Sequence, residues 1–128
     1  MLINVPVSIG ELFDKISILD IKTKKIKNKD DLKLIKYELS KLKKIVKLKG
    51  LTGSEINKKY KNLKSINEKL WDIENNKRKC EQKKTFDRNF IRLARNVYIY
   101  NDKRAKIKRD INILSGSKIS EIKSYKKY

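Results

Sequence analysis

Apolar side chains recur every three or four residues along most of this chain, and few residues interrupt the pattern. This spacing places them on one side of an α-helix, whereas a strand would need strict alternation. The 128 residues include one Pro and four isolated Gly, so tight turns are few and the helices are long. The sequence therefore predicts an all-α fold, a compact helical bundle in a single domain over residues 1–128.

An N-terminal helical hairpin is predicted over residues 8–49. Ser8 and Glu11 have the spacing of a capping box, so the first helix begins at Ser8. The polar residues 28–31 indicate a reversal and can cap a second helix. Gly50 suits the end of that helix, because glycine readily adopts the left-handed conformation found there.

Two longer helices and a short one follow the hairpin. The third helix is expected to fray in the polar run of residues 75–84. Thr85 or Asp87 can cap the fourth helix and Gly116 can end it, which gives a length of about 42 Å. Ser117 can then start a short C-terminal helix. The predicted architecture is thus the hairpin packed on the two longer helices, with the short helix closing one end.

Composition excludes several classes of site. The chain has no His and one Cys, which removes the commonest general base and the usual zinc ligands. The isolated glycines cannot form a phosphate-binding loop. The sequence therefore predicts no cofactor and no metal. The N-terminus lacks the pattern of a signal peptide, and no apolar run approaches the roughly 20 residues that span a bilayer. A cytoplasmic protein without a transmembrane segment is expected.

The fourth helix has an unusually polar inner face. Its polar residues lie three or four positions apart, so they share one side of the helix. In chain order they are Arg95, Tyr98, Asn101, Arg104, Lys108 and Asn112. Burying such groups is unfavourable unless each is paired and hydrogen-bonded. These side chains therefore face either partners within the protein or a ligand.

The third helix offers partners, because Glu68, Asp72 and Glu74 supply carboxylates beside Asn67 and Trp71. One alternative is a buried ion-pair network that fixes helix register, with Glu68 or Glu74 against Arg104 or Lys108. The other is a pocket in which cations hold a phosphate or carboxylate and an aromatic ring packs on the ligand. This second alternative makes the chain a non-enzymatic binding module for an anionic ligand. Its predicted ligand-binding residues are Arg95, Tyr98, Asn101, Arg104, Lys108, Trp71 and Glu74.

Net charge provides a second functional hypothesis. Lys and Arg exceed Asp and Glu by 20 charges, and residues 22–49 hold twelve Lys against three acidic residues. Such a surface attracts polyanions, so sequence-independent nucleic-acid binding is the alternative function. A genome bias towards Lys, Ile and Asn codons would explain the same charge without function. The residues predicted for nucleic-acid binding are Lys33, Lys36, Lys43, Lys44 and Lys47.

Two further hypotheses stay open. An enzyme acting on a phosphorylated or sugar substrate could use Glu68, Asp72 or Glu74 as acid or base, if one has a raised pKa in a pocket. Homo-oligomerisation is the other, because an apolar stripe of one copy could pack against that of a second copy.

Four segments of the chain resemble an uncharacterised family of small intracellular helical proteins, a domain of unknown function found in bacteria and some phages. The segments are PVSIGELFDKISILDIK at 6–22, NEKLWDIE at 67–74, LARNVYIYNDKRAKIKRDIN at 93–112 and GSKISEIKSY at 116–125. No activity accompanies the resemblance. The Lys-rich stretch lies largely outside these segments, which weakens the nucleic-acid hypothesis.

The resemblance implies that a set of polar and aromatic residues belongs to family motifs. They are Glu11, Lys15, Trp71, Glu74, Arg95, Tyr98, Asn101, Asp102, Arg104, Lys108, Asn112, Glu121, Lys123 and Tyr125. Core packing alone would not require so many polar side chains.

Overall fold

A computed structural model describes residues 1–128 and contains four α-helices and no strand. The helices are α1 (Ile9–Lys25), α2 (Lys29–Leu48), α3 (Ser54–Lys83) and α4 (Arg88–Ser115). The all-α prediction is confirmed. The predicted N-terminal hairpin corresponds to α1 and α2.

Local capping signals set most of the helix ends. The Ser8 Oγ accepts a hydrogen bond from the Glu11 N–H at 3.0 Å, and the Asn28 side chain accepts from two N–H groups of α2. Asp87, the second of the two predicted caps, serves α4. Gly50 and Gly116 both have positive φ, as predicted for residues that end a helix.

Helix α1 is the central element of the bundle. It packs against α2 on one side and against the α3–α4 pair on the other, whereas α2 contacts no helix except α1. Two apolar clusters hold these contacts. Leu12, Ile16 and Leu19 meet Leu39 of α2, and Phe13 meets Leu63 of α3 and Ile111 of α4.

The predicted fraying of α3 is wrong, because the helix continues to Lys83. Helix α3 makes the most extensive helix contact in the molecule, with α4. Ile73 is buried just before the polar run, and Lys77 and Cys80 within the run are half-buried. Tertiary packing of this kind stabilises a helix despite a polar local sequence.

The predicted short C-terminal helix is also wrong. Residues 117–128, here called the tail, are not helical and run back along α4. Ser117 does not cap a helix, because its hydroxyl accepts from the Ile9 N–H and donates to the Ile119 carbonyl. The tail contacts α4 through Ser120 on Asn112, Glu121 on Lys108 and Tyr128 on Tyr98. Such a short segment lacks the length to form a stable helix without packing, so contacts with α4 set its conformation.

Candidate functional site

The N-terminus of α1 lies directly against α4. A Cβ atom at Gly10 would overlap the backbone carbonyl oxygen of Lys108, so this approach requires glycine. The Gly10 N–H donates to Asn112 Oδ1 at 2.7 Å, and the Ile9 N–H donates to Ser117 Oγ at 3.1 Å. Together with the Ser8 cap, these acceptors satisfy the N–H groups of Ile9, Gly10 and Glu11. These three N–H groups are therefore not free to bind an anion.

Asp14 is the most deeply buried ionisable group, with 1% of its side chain exposed. The Arg104 guanidinium binds it with two nitrogens: Nε donates to Oδ1 at 2.9 Å, and Nη2 donates to Oδ2. Burial by itself would raise the pKa of Asp14. Hydrogen bonds from Arg104 and Asn67 and the charges of Arg104 and Lys108 outweigh burial and lower this pKa below its ordinary value. The hydrogen bond to Asp14 likewise raises the pKa of Arg104.

Asn67 joins α3 to the same centre. Its Nδ2 donates to Asp14 Oδ1 at 2.9 Å and to Ser17 Oγ at 2.7 Å. The Ser17 hydroxyl in turn donates to the Asp14 carbonyl. No buried side-chain nitrogen or oxygen in the molecule lacks a hydrogen-bond partner. Three helices thus meet at a fully paired polar centre.

Lys108 lies one turn further along α4 and is the second cation of the centre, with 12% of its side chain exposed. Its Nζ lies 2.7 Å from Glu11 Oε2, 3.4 Å from Glu121 Oε2 and 3.9 Å from Asp14 Oδ2. Burial would lower the pKa of Lys108, but the hydrogen bond to Glu11 and the surrounding carboxylates raise it. The ammonium group is therefore charged, and one of its carboxylates comes from the tail.

Arg104, Lys108 and Asn112 of the polar face of α4 are therefore paired inside the protein, and the predicted partners are wrong. Glu68 and Glu74 are exposed on α3 and contact neither Arg104 nor Lys108. The actual carboxylates come from α1 and the tail. A signal for the α1 partner was present in the sequence, because Gly10, Asp14 and Ser17 are four and three residues apart and interrupt the apolar pattern on one side of that helix.

The tail runs along α4 and borders two neighbouring clefts, with volumes of about 380 Å³ and about 290 Å³. We call this pair of clefts the tail cleft. Both contain Ser8, Lys108, Glu121 and Lys123 in their walls. The charged lining residues are the cations Arg104, Lys108, Arg109 and Lys123 and the carboxylates Glu11 and Glu121. Four cations and two carboxylates therefore line the tail cleft.

The predicted ligand-binding residues do not form one pocket. Arg104 and Lys108 line the tail cleft, and Asn101 Oδ1 lies 3.5 Å from Arg104 Nη1. Trp71 and Glu74 line a separate groove of about 300 Å³, which also reaches Arg104.

Arg95 and Tyr98 lie nearer the start of α4, and both are exposed. The Tyr98 ring packs against Tyr128 of the tail, with 5.0 Å between ring centroids. The tail therefore contacts the predicted face at Tyr98 as well as at Lys108.

The residues predicted to bind nucleic acid do share one surface. Lys33, Lys36, Lys43, Lys44 and Lys47 are all exposed on α2. At 3.6 residues per turn they fall within an arc of about 100° around the helix. Lys43 also lies 3.3 Å from Asp20 of α1, so four of the five have no carboxylate partner within salt-bridge distance.

The carboxylates of the enzyme hypothesis, Glu68, Asp72 and Glu74, are exposed on α3. No group of three or more Cys, Asp or Glu side chains is arranged to hold a metal ion. None of the four helices has the length and apolar character needed to cross a membrane.

Comparisons with known proteins give one match. Curated proteins and solved structures yield no significant similarity. Residues 3–128 match the model of a family of unknown function, which covers all four helices and the tail. The chain therefore belongs to this family of unknown function, DUF6165.

Proposed function

We propose that this protein binds a small anionic ligand in the tail cleft and that it acts as a binding protein rather than an enzyme. The supporting observation is the contact between Glu121 and Lys108. Here a carboxylate from an irregular, exposed segment is placed on a largely buried ammonium group. In this proposal a phosphate or carboxylate of the ligand replaces the Glu121 carboxylate.

Glu121 is the replaceable member of the centre. Asp14 is buried and held by Arg104 and Asn67, and Glu11 is fixed in the first turn of α1 at 2.7 Å from Lys108. Glu121 is 54% exposed and lies farther from Lys108, at 3.4 Å. Because more than half of the Glu121 side chain is exposed and its contact with Lys108 is long for a charged pair, an anion that contacts several cations can displace it.

Lys108, Lys123 and Arg109 would contact the ligand in this proposal. The guanidinium of Arg104 already holds Asp14 with two nitrogens, so Arg104 offers its remaining N–H groups beside Asn101. Trp71 and Glu74 border the groove on the other side of Arg104. If the whole tail moved, the Tyr98 ring would lose its contact with Tyr128. Arg95, three residues before Tyr98, would then lie near the uncovered Tyr98 ring.

Calorimetric titration with inorganic pyrophosphate and with citrate at fixed ionic strength tests this proposal. Glu121→Gln is expected to bind at least one of these anions about three- to tenfold more tightly than the natural chain, because the competing charge is gone. Lys108→Gln is expected to lose binding. Lys123→Gln is expected to weaken binding without affecting folding, because Lys123 is exposed.

Two control variants match these charge changes outside the cleft. Glu68→Gln removes an exposed carboxylate from α3. Lys106→Gln removes an exposed cation two residues from Lys108, on the opposite side of α4. Both should bind like the natural chain. If Glu121→Gln and Glu68→Gln bind alike, or if neither anion binds to any variant, the tail cleft is not an anion site.

Polyanion binding through the lysine arc of α2 is the second candidate, supported by the shared exposed surface of these lysines. It predicts that affinity for a single-stranded oligonucleotide falls steeply with salt, because each neutralised phosphate releases counterions. Replacing Lys33, Lys44 and Lys47 with Gln should reduce that slope by about two to three. If the affinity vanishes at physiological ionic strength, the positive charge reflects amino-acid composition and does not serve polyanion binding.

A further inference from the structure

A second apolar stripe lies on the outer side of α2. Leu34, Tyr37, Ile45 and Leu48 are all exposed, and Leu34 and Leu48 are 70% and 74% exposed. With Lys41 between them they are spaced three and four residues apart, so they form one line along the helix. The inner side of α2 packs on α1, and no other helix contacts α2. No other helix therefore covers the outer stripe.

The N-terminal arm, residues 1–7, extends this apolar surface. It is not helical, its apolar side chains are exposed, and it makes no backbone–backbone hydrogen bond. Ile3 and Val5 line a groove of about 730 Å³ together with Ile45 of the stripe. We call the arm and the stripe together the outer face. Contiguous exposed apolar surface of this kind marks an interaction site.

Positive charge surrounds the outer face. Lys33 and Lys44 lie beside the stripe on the lysine arc, and Lys15 and Lys49 line the groove. Lys41 lies within the stripe, with its ammonium 5.4 Å from the centre of the Tyr37 ring. Glu38 is the one carboxylate in the groove wall. The partner of this face must therefore be apolar and negatively charged.

We propose that the outer face binds the surface of an anionic lipid bilayer. The leucines, Ile45 and the arm would enter the boundary between headgroups and acyl chains. Tyr37 suits that boundary, and the long lysine side chains would reach acidic headgroups.

Other partners fit the outer face less well. A second copy carries the same net charge of +20, which opposes association through a lysine-rich surface. Nucleic acid would use the lysines but not the exposed leucines. A single partner helix would match the stripe, but the arm does not continue its spacing of three and four residues. A bilayer accommodates both the arm and the stripe.

Co-sedimentation of the full chain with vesicles tests the proposal. Vesicles of equal parts phosphatidylcholine and phosphatidylserine should bind it, and vesicles of phosphatidylcholine alone should bind much less. Leu34→Gln and Leu48→Gln leave the charge unchanged, and each is expected to lower the partition coefficient at least about fivefold. Ile91→Gln removes an exposed apolar side chain from α4 and is expected to change nothing. These positions are exposed, so thermal melting should show that all three variants fold.

Three results would overturn the proposal. Equal binding of the natural chain and both leucine variants would show that charge alone attracts the vesicles. Equal binding to charged and neutral vesicles would show that the lysines do not contribute to membrane binding. A dimer in light scattering that disappears in Leu48→Gln would make a second copy the occupant of the face.

Discussion

The two sides of α1 differ in the chemistry of their contacts. Towards α2, Leu12, Ile16 and Leu19 meet Leu39 in an apolar seam. Towards α4, an apolar contact of Phe13 with Ile111 is accompanied by a polar seam. In this seam Gly10, Glu11 and Asp14 meet Arg104, Lys108 and Asn112.

Apolar contacts are non-directional, so they tolerate small shifts of one helix along another. Paired charges and a backbone approach at glycine allow one register. The apolar seam therefore attaches α2 to the bundle, and the polar seam aligns α1 with α4 and positions the tail cleft.

Removing the central carboxylate, that of Asp14, should lower the free energy of unfolding more than any substitution in the apolar seam. Asp14→Ala leaves Arg104 partly buried without its partner, and we expect a loss of about 3–5 kcal/mol in the free energy of unfolding. Urea denaturation measures this loss. Asp72→Ala, at an exposed carboxylate of α3, should stay within about 0.5 kcal/mol of the natural chain. A loss below about 1 kcal/mol for Asp14→Ala would mean that the polar seam does not hold α1.

Truncating the apolar seam should have a smaller and more local effect. Leu39→Ala creates a cavity between α1 and α2, and we expect a loss of about 2–3 kcal/mol. Because the backbone of α2 comes close to that of α1 alone among the helices, its amides should lose protection from hydrogen exchange while those of α3 and α4 retain it. Uniform loss of protection over the four helices would show that α2 is not a separately opening unit.

A substitution at Gly10, where α1 and α4 approach closely, should cause the next largest loss in the free energy of unfolding. Gly10→Ala forces a Cβ against the carbonyl of Lys108, so α1 and α4 must separate, at an expected loss of about 1–3 kcal/mol. Amide chemical shifts of Lys108 and Asn112 should move with it. Gly50→Asn is the control, since asparagine tolerates the left-handed conformation and the surrounding space is open. If both variants lose the same free energy of unfolding, the Gly10 effect comes from the loss of a glycine and not from the contact with the Lys108 carbonyl.

Acidification should weaken the polar seam selectively. The pKa of Asp14 is lowered in the folded state, so the unfolded chain binds the proton more tightly. The contribution of Asp14 is therefore complete above its ordinary pKa of 3.8 and is lost as the pH falls through the lower folded value. Urea titrations between pH 6 and about pH 2 should show this loss in the natural chain and a flatter dependence in Asp14→Asn. Parallel curves for the two proteins would exclude Asp14 as the cause.

The sequence predicted the apolar seam better than the polar one. Periodic leucines and isoleucines identify a buried side of each helix without knowledge of its partner, and the caps at Ser8 and Asn28 mark where helices begin. The polarity of α4 was equally visible. The identity of its partners was not, because Asp14 is one carboxylate on a mostly apolar helix, and periodicity does not tell which helix lies opposite.

The tail was the least predictable part. Ile119, Ile122 and Tyr125 have helical spacing, yet side chains of α4 and the first turn of α1 fix the segment in a non-helical path. Some of these contacts join residues more than 100 positions apart and others join close neighbours. Local sequence patterns do not predict them. Glu121 could thus be singled out as a polar motif residue but not as a partner of Lys108.

Nuclear magnetic resonance of the natural chain during titration with pyrophosphate tests the central claim most directly, since that claim is that Glu121 occupies the place of a ligand on Lys108. Amide signals of residues 119–123 should move towards values of an unfolded peptide as the Lys108 side-chain signal shifts, with one common binding curve. Signals of Asp14 should stay in place. Pyrophosphate binding that shifts Lys108 while the tail signals remain unchanged, or that affects only the lysines of α2, would contradict the account.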